Sequence, residues 1–245
     1  MRNKKLSVIV PVFKGGKFIE ENLSIMKKSF SEQFANTEII AVIDGSTDDS
    51  LSQAKKVEGI KVVGYTKNMG KGYALKYGFK HATGDFITFI DCDMNLHPKQ
   101  LRNFVPYLST ADIVIGSKRH PFSKVNYPLT RKILSKGFQL YSWLVLGVSL
   151  RDTQSGLKIM KREALEVLLP LVVVKRYAFD LELMFLAQMH GFRTVEAPIL
   201  LNYDREMPST VDLKAAYGMF MDVLAIRYRF SFTKYYQKQY HNQFK

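Results

Sequence analysis

Apolar runs alternate with longer amphipathic stretches through the first half of the chain. LSVIVPV, TEIIAVID, IKVVGY, DFITFID and ADIVIG are separated by segments such as KFIEENLSIMKKSF and KGYALKYGFKHA. Strands that read as near-continuous apolar runs are covered on both faces, so the pattern predicts an α/β fold around a mostly parallel sheet flanked by helices. In such sheets ligands bind outside the carboxyl ends of the strands. Polar signals fall at those ends: VPVFKGG, DGSTDDS, KNMGKG and DCDMN follow the first four runs in turn. DGSTDDS alone also fits a turn that leads into an N-capped helix.

The fourth signal carries the most chemistry. Asp91 and Asp93 flank Cys92 where GDFITFIDCDMNLHP leaves its apolar run. Alternation along an extended chain would place both carboxylates on one side. Close like charges repel and raise one another's pKa unless a cation lies between them, and a divalent metal or a basic side chain would serve. Asp93 and Asn95 also fit a simple cap on a helix near Pro98.

A chain of 245 residues, 47% of them hydrophobic, can bury a substantial core. Its formal charge of +14 favours anionic partners: nucleic acid, phosphorylated small molecules or an acidic membrane surface. No helix-turn-helix, zinc-finger or RNA-recognition signature accompanies the charge, so nucleic acid is not the expected partner. Cys92 is the only cysteine, which excludes an internal disulfide and zinc-cluster chemistry and suits a packing role. MRNKKLSVIVPVF has a basic start, but its apolar run is too short for a signal peptide and it reads as a first strand.

No repeat, low-complexity tract or linker marks a boundary, although the character changes near Arg119. Beyond it come an isolated strand candidate, SGLKIM, the run FRTVEAPILL, and the amphipathic VDLKAAYGMFMDVLAIRYRFSFTKYY. GFQLYSWLVLGVSL, residues 137–150, falls short of the roughly 20 apolar residues a spanning helix needs. Its basic flanks, Arg131, Lys132, Lys136 and Arg151, suit a helix lying at a membrane interface; a buried core helix fits the pattern as well.

Taken in order, VIVPVF, EIIAVIDGSTDDS, NMGKGYALKYGFKHATGDFITFIDCDMNLHP and DIVIGSKR resemble the donor-binding half of the family 2 glycosyltransferases with the GT-A fold. RDTQSGLKIMKREAL, RYAFDLELMFLAQMHGF and DVLAIRYRFSF look like the dolichyl-phosphate glucosyltransferases and, less closely, the dolichyl-phosphate mannose synthases. The likeness runs from about Leu6 to Phe232. It implies one glycosyltransferase domain over 1–245, with a nucleotide-sugar half at 1–118 and an acceptor and membrane-interface half at 119–245.

The resemblance also implies roles. Asp91, Asp93 and Asn95 would hold Mg²⁺ or Mn²⁺ against the diphosphate of UDP-glucose or GDP-mannose, since such hard cations use few carboxylates and complete their shell with phosphate and water. Pro11 and Phe13 would line the base pocket, Asp44 would bond the base or ribose, and Lys71 would meet the nucleotide at a helix start. The chain departs from its relatives at Phe13-Lys14-Gly15, where Tyr-Asn-Glu is usual, and at Ile43-Asp44, where paired Asp is usual. Lys118, Arg119, Arg131, Arg205 and Ser209 fall at or beside positions that meet the acceptor phosphate of a polyprenyl or dolichyl lipid; any one of the cations could instead be merely solvated.

Asp180 and Glu182, two apart in FDLELMF, would position an active-site group or cap a helix. A hydroxyl acceptor needs a base, and Asp180 is then the candidate; an ionised phosphate needs none. The expected activity is inverting transfer of a hexose, glucose from UDP-glucose, to a polyprenyl phosphate; the alternatives are mannose from GDP-mannose to the same lipid phosphate and hexose transfer to a glycan hydroxyl. Asp93, Arg131 and Asp180 are the expected catalytic residues. The expected place is the cytoplasmic face of a membrane, with peripheral attachment and no spanning helix.

Overall fold

The protein is seen in a computed structural model that describes residues 4–16, 18–126, 129–202 and 213–243, with backbone alone at 129–131, 202, 213 and 214. The side chain of Arg131, and Arg205 and Ser209 altogether, lie outside the described residues.

The first half is a β/α alternation: β1 (Leu6–Val12), α1 (Phe18–Gln33), β2 (Thr37–Asp44), α2 (Ser50–Lys55), β3 (Lys61–Tyr65), α3 (Lys71–Lys80) and β4 (Phe86–Ile90). Two short 3₁₀ turns then lead to β5 (Ile113–Ser117) and β6 (Lys124–Asn126). The remainder comprises α4 (Leu129–Leu146), β7 (Leu157–Lys161), α5 (Arg162–Leu171), α6 (Phe179–Met189), β8 (Thr194–Pro198), β9 (Leu200–Asn202), α7 (Leu213–Ser231) and α8 (Tyr235–Gln243). All five apolar runs of the first half form strands, as does SGLKIM. FRTVEAPILL divides between β8 and β9.

The main sheet has the order β3-β2-β1-β4-β7-β5-β8, with β6 and β9 pairing separately. Side chains along β1 alternate between the faces, Ile9 entering one apolar layer and Val8 and Val10 the other. Both layers are closed by helices: α3, α5 and α6 cover one face, and α1 with the 3₁₀ turns covers the other. Each fully buried Val, Ile or Leu there contributes about 1.5–3 kcal/mol relative to exposure.

β7 is the one antiparallel member, pairing Ile90 with Leu157 on β4 and Ile113 with Met160 on β5. Because β7 runs against its neighbours, its starting end lies at the same sheet edge as the carboxyl ends of β4 and β5. Residues 91–95, 117–119 and 154–156, distant in sequence, therefore meet at one edge, beside the switch point of the sheet.

Candidate active site

A cavity of about 170 Å³ opens at that edge, lined by Asp91, Asp93 and Asn95 after β4, by Lys118 after β5, and by Gln154, Ser155 and Gly156 from the loop before β7. The carboxylates come together by a different route from the expected one. β4 ends at Ile90, so strand alternation does not orient them; the chain turns at Cys92 and Asp93, and Met94 then takes a positive φ of 58°. A non-glycine residue in that region is uncommon and held by its surroundings. The turn lets Asp93 accept from Asn95 N at 3.0 Å and from the Asn95 amide nitrogen at 2.6 Å. Neither caps the following turn, since His97 does so by accepting from Lys99 N at 3.2 Å.

Asp91 meets a basic side chain directly: Lys71 Nζ lies 2.6 Å from its Oδ1. Lys71 is the first residue of α3, behind Gly70 with φ of 95°. A Cβ on Gly70 would stand 2.5 Å from the Lys175 carbonyl, so only glycine allows this helix start. The other Asp91 oxygen lies against Gly156, where an added Cβ would overlap it. Behind Lys71 stands buried Asp180, with Oδ2 3.8 Å from Lys71 Nζ and Oδ1 3.1 Å from Nζ of Lys158, itself enclosed on β7.

The electrostatics follow from this crowding. Burial and then the charge of Asp91 push the Asp93 carboxyl up from its ordinary value. Burial alone would lower the Lys71 ammonium, but the charges of Asp91 and Asp180 outweigh it and hold it well above the lysine range. Burial drives the Lys158 ammonium down, opposed by Asp180. Cys92 packs against the core, and burial with its flanking carboxylates pushes its thiol up to about 12.

The expected residues fall into groups. Lys118 lines the cavity, its backbone N–H donating to Asp152 at 3.0 Å and its ammonium 3.5 Å from the same carboxylate. Arg119 points elsewhere, donating to Ser135 Oγ at 2.7 Å and to Gln139 and the Arg151 carbonyl, which ties α4 to the loop after it. Asp44 is buried and accepts from Met69 N at 2.7 Å, Gly70 N at 2.9 Å and Asn68 at 3.1 Å, so both oxygens brace the approach to α3. Pro11 is half-buried and Phe13 exposed at the carboxyl end of β1. DGSTDDS proves to be a brace as well: Asp48 accepts from Gly16 N at 3.0 Å and from Ser50 Oγ at 2.6 Å.

Glu182, two residues beyond Asp180, does not cap α6 but is fully enclosed beneath α7 and α8. Gly156, Gln154 and Ser155 were not anticipated as site residues, although they lie in RDTQSGLKIM. A glycine just before a strand was the available signal.

The donor set fits a small hard cation. Two carboxylates and an amide line the same cavity, and ions of this kind use few carboxylates and complete their shell with phosphate and water.

The family profile of Glycosyl transferase family 2 matches residues 7–169. The chain is 31% identical over 248 residues to human dolichyl-phosphate beta-glucosyltransferase, covering 93% of this chain and 76% of that one. It is 32% identical to a dolichyl-phosphate beta-glucosyltransferase of Trichomonas vaginalis, covering 79% of this chain but only 63% of the relative. Among solved structures, glucosyl-3-phosphoglycerate synthase from Mycobacterium tuberculosis, in complex with Mn²⁺, uridine diphosphate and phosphoglyceric acid, superimposes with a TM-score of 0.68 at 22% identity over 92% of this chain and 78% of that one. That likeness shows the shared fold.

Proposed function

The chain belongs to glycosyl transferase family 2, and from that premise we propose that it transfers glucose from UDP-glucose to a polyprenyl phosphate at a membrane surface. The observation that carries the reading is the cavity lined by Asp91, Asp93, Asn95 and Lys118 together, beside the switch point of a GT-A sheet. The human and Trichomonas relatives, both named for glucosyl transfer to dolichyl phosphate, support the donor and the acceptor. The Mn²⁺ and uridine diphosphate bound by the structural neighbour support the cofactor and the nucleotide.

Asp91, Asp93 and Asn95 would hold Mg²⁺ or Mn²⁺, which when bound supplies positive charge to the departing diphosphate. Lys118 would draw the acceptor phosphate toward the sugar, and Arg131, Arg205 and Ser209 complete the proposed acceptor set. An acceptor phosphate oxygen forms the new bond to the anomeric carbon as the bond to the nucleoside diphosphate breaks, which inverts the centre. Asp180 does not line the cavity and lies between two lysine ammonium groups, a poor position from which to take an acceptor's proton. A phosphate acceptor needs no such base.

The surroundings suit a lipid substrate. On α4, Ile133, Leu134, Leu140, Trp143 and Leu144 are exposed, while α7 exposes Tyr217, Phe220, Met221, Leu224 and Tyr228. The two helices touch through stacked Tyr141 and Phe220, with centroids 4.1 Å apart. No helix among the described residues is long and apolar enough to cross a membrane. The exposed apolar rows beside basic residues support attachment along the surface, and the cytoplasmic face is the proposed place.

The test is incubation of the protein with polyprenyl phosphate, Mn²⁺ or Mg²⁺, and UDP-glucose or GDP-mannose in parallel, with lipid products identified by mass spectrometry. Glucosyl phosphoryl polyprenol from UDP-glucose is expected. Product from GDP-mannose alone would replace the donor, and no lipid product from either would overturn the acceptor.

A further inference from the structure

We propose that Lys71 is a resident cation that shares Asp91 with the divalent metal, so that metal binds tightly only together with a nucleotide diphosphate. This rests on the reading of Asp91 and Asp93 as metal ligands and adds an order to their use.

Asp91 Oδ1 already faces the Lys71 ammonium at 2.6 Å, and Oδ2 occupies the space that a Cβ on Gly156 would fill. A metal that uses Asp91 must therefore share it with a positive charge. Asp91, Lys71, Asp180 and Lys158 alternate in sign along a continuous chain, with contacts of 2.6, 3.8 and 3.1 Å. Asp93, whose charge also reaches Asp91 and Lys71, makes three carboxylates against two ammonium groups, so a divalent cation alone would leave a positive excess. Asp180 also gives the ammonium a second anion to lean toward, so Lys71 can yield Asp91 without being stranded.

The start of α3 leaves the ammonium as the group that answers an incoming anion. Three backbone N–H groups at this start are taken inside the protein: Gly70 N donates to Asp44, and Gly72 N and Tyr73 N to the Lys175 carbonyl. A helix start normally offers such groups to phosphate. Here the Lys71 side chain remains, poised between its two carboxylates. A diphosphate brings the negative charge that lets the ammonium and a divalent cation stand side by side. Coupling of this kind is reciprocal, so metal and nucleotide strengthen one another by the same factor.

The test reads metal binding rather than turnover. Free Mn²⁺ is titrated by electron paramagnetic resonance against the native protein, Lys71→Met, Lys71→Arg and Asp93→Asn, alone and with UDP or GDP. For the native protein, weak binding that tightens about tenfold or more with nucleotide is expected. Lys71→Met should bind Mn²⁺ more tightly than the native protein when no nucleotide is present, and gain less from nucleotide. Lys71→Arg keeps the charge and should follow the native pattern. If Lys71→Met binds Mn²⁺ no better than the native protein, or if Lys71→Arg tightens as Lys71→Met does, the resident-cation inference falls while the metal site stands. If Asp93→Asn binds like the native protein, or no protein binds Mn²⁺ even with nucleotide, the metal reading itself fails and takes the inference with it.

Discussion

Arg229 Nη1 of α7 donates to Glu182 Oε1 of α6 at 2.8 Å, and the Glu182 side chain is fully enclosed. The same carboxylate accepts from Val173 N at 2.8 Å, Val174 N at 2.6 Å and the Tyr236 hydroxyl of α8. One side chain thus fastens both C-terminal helices to α6, which carries Asp180 two residues earlier, and to the loop whose Lys175 carbonyl holds the start of α3. α7, which carries one of the two exposed apolar rows, shares this anchor with the loop that holds the start of α3.

Removing the cation alone should be costly. Arg229→Met leaves a buried carboxylate without its partner and is expected to lower the unfolding free energy by about 3 kcal/mol. Urea denaturation followed by circular dichroism measures it. A variant as stable as the native protein would show that the backbone and tyrosine donors suffice.

Gly156→Ala tests the close approach at Asp91. A methyl group there would overlap the Asp91 carboxylate, which must then leave its present position. Displacement of a site group by about 1 Å can cost on the order of a hundredfold in rate, and a loss of that size is expected in glucosyl transfer. The fold should persist, since the clash falls on a partly exposed side chain rather than on the core. Near-native turnover would mean that Asp91 need not occupy its observed position.

The sheet was legible because strands covered on both faces are apolar almost throughout, as TEIIAVID shows. The place of β7 was not. SGLKIM reads as a strand, but nothing local says that it runs backwards between β4 and β5, and that reversal alone brings Gly156 to Asp91 and Lys158 to Asp180. Asp91 and Asp93 were visible by spacing. The sequence posed a metal or a basic side chain as alternatives beside them, and the fold supplies Lys71 next to Asp91 within a donor set that suits a metal. Asp44 carried no signal that its oxygens would meet Met69 and Gly70 amides, because that contact joins the end of β2 to the loop after β3, which only the pairing of the two strands brings together.

Asp93→Asn should separate activity from stability. Burial and the neighbouring Asp91 charge both disfavour the Asp93 carboxylate, so replacing it by a neutral isostere removes repulsion. The expected outcome is loss of transfer with a melting temperature equal to or above the native value. Retained transfer in the presence of metal would remove Asp93 from the proposed ligands.

Glu38 gives a pH dependence away from the site. Burial would raise its carboxyl, but hydrogen bonds from Ser7 Oγ at 2.6 Å and Thr83 N at 2.6 Å, with Lys5 at 3.0 Å, bring it down from 4.5 to about 2. A folded value below the unfolded one stabilises above pH 4.5, and that contribution disappears as pH falls toward about 2. Glu38→Gln should therefore be less stable than the native protein near neutrality by about 1 kcal/mol, after allowance for solvent screening. The gap should close on acidification. Urea midpoints that stay equally separated across the acid range would refute the assignment.

Trp143 is the only tryptophan and stands half-exposed on the outer face of α4, so it reports directly on what that face meets. Ile133, Leu134, Leu140 and Leu144 are exposed on the same helix, which also carries Lys132 and Lys136. Anionic vesicles should shift the emission to shorter wavelength and protect it from an aqueous quencher. Basic residues near an anionic bilayer each contribute about 1 kcal/mol, an attraction that salt screens, so part of the shift should reverse as salt is added. The apolar share resists salt, because each large side chain buried in the interface adds roughly 1.5–3 kcal/mol whatever the ionic strength. Leu134→Glu with Leu144→Glu should accordingly abolish the salt-resistant part while leaving the fold intact, both side chains being exposed in the free protein. Emission unchanged by vesicles at low salt would rule out α4 as a membrane-contacting helix.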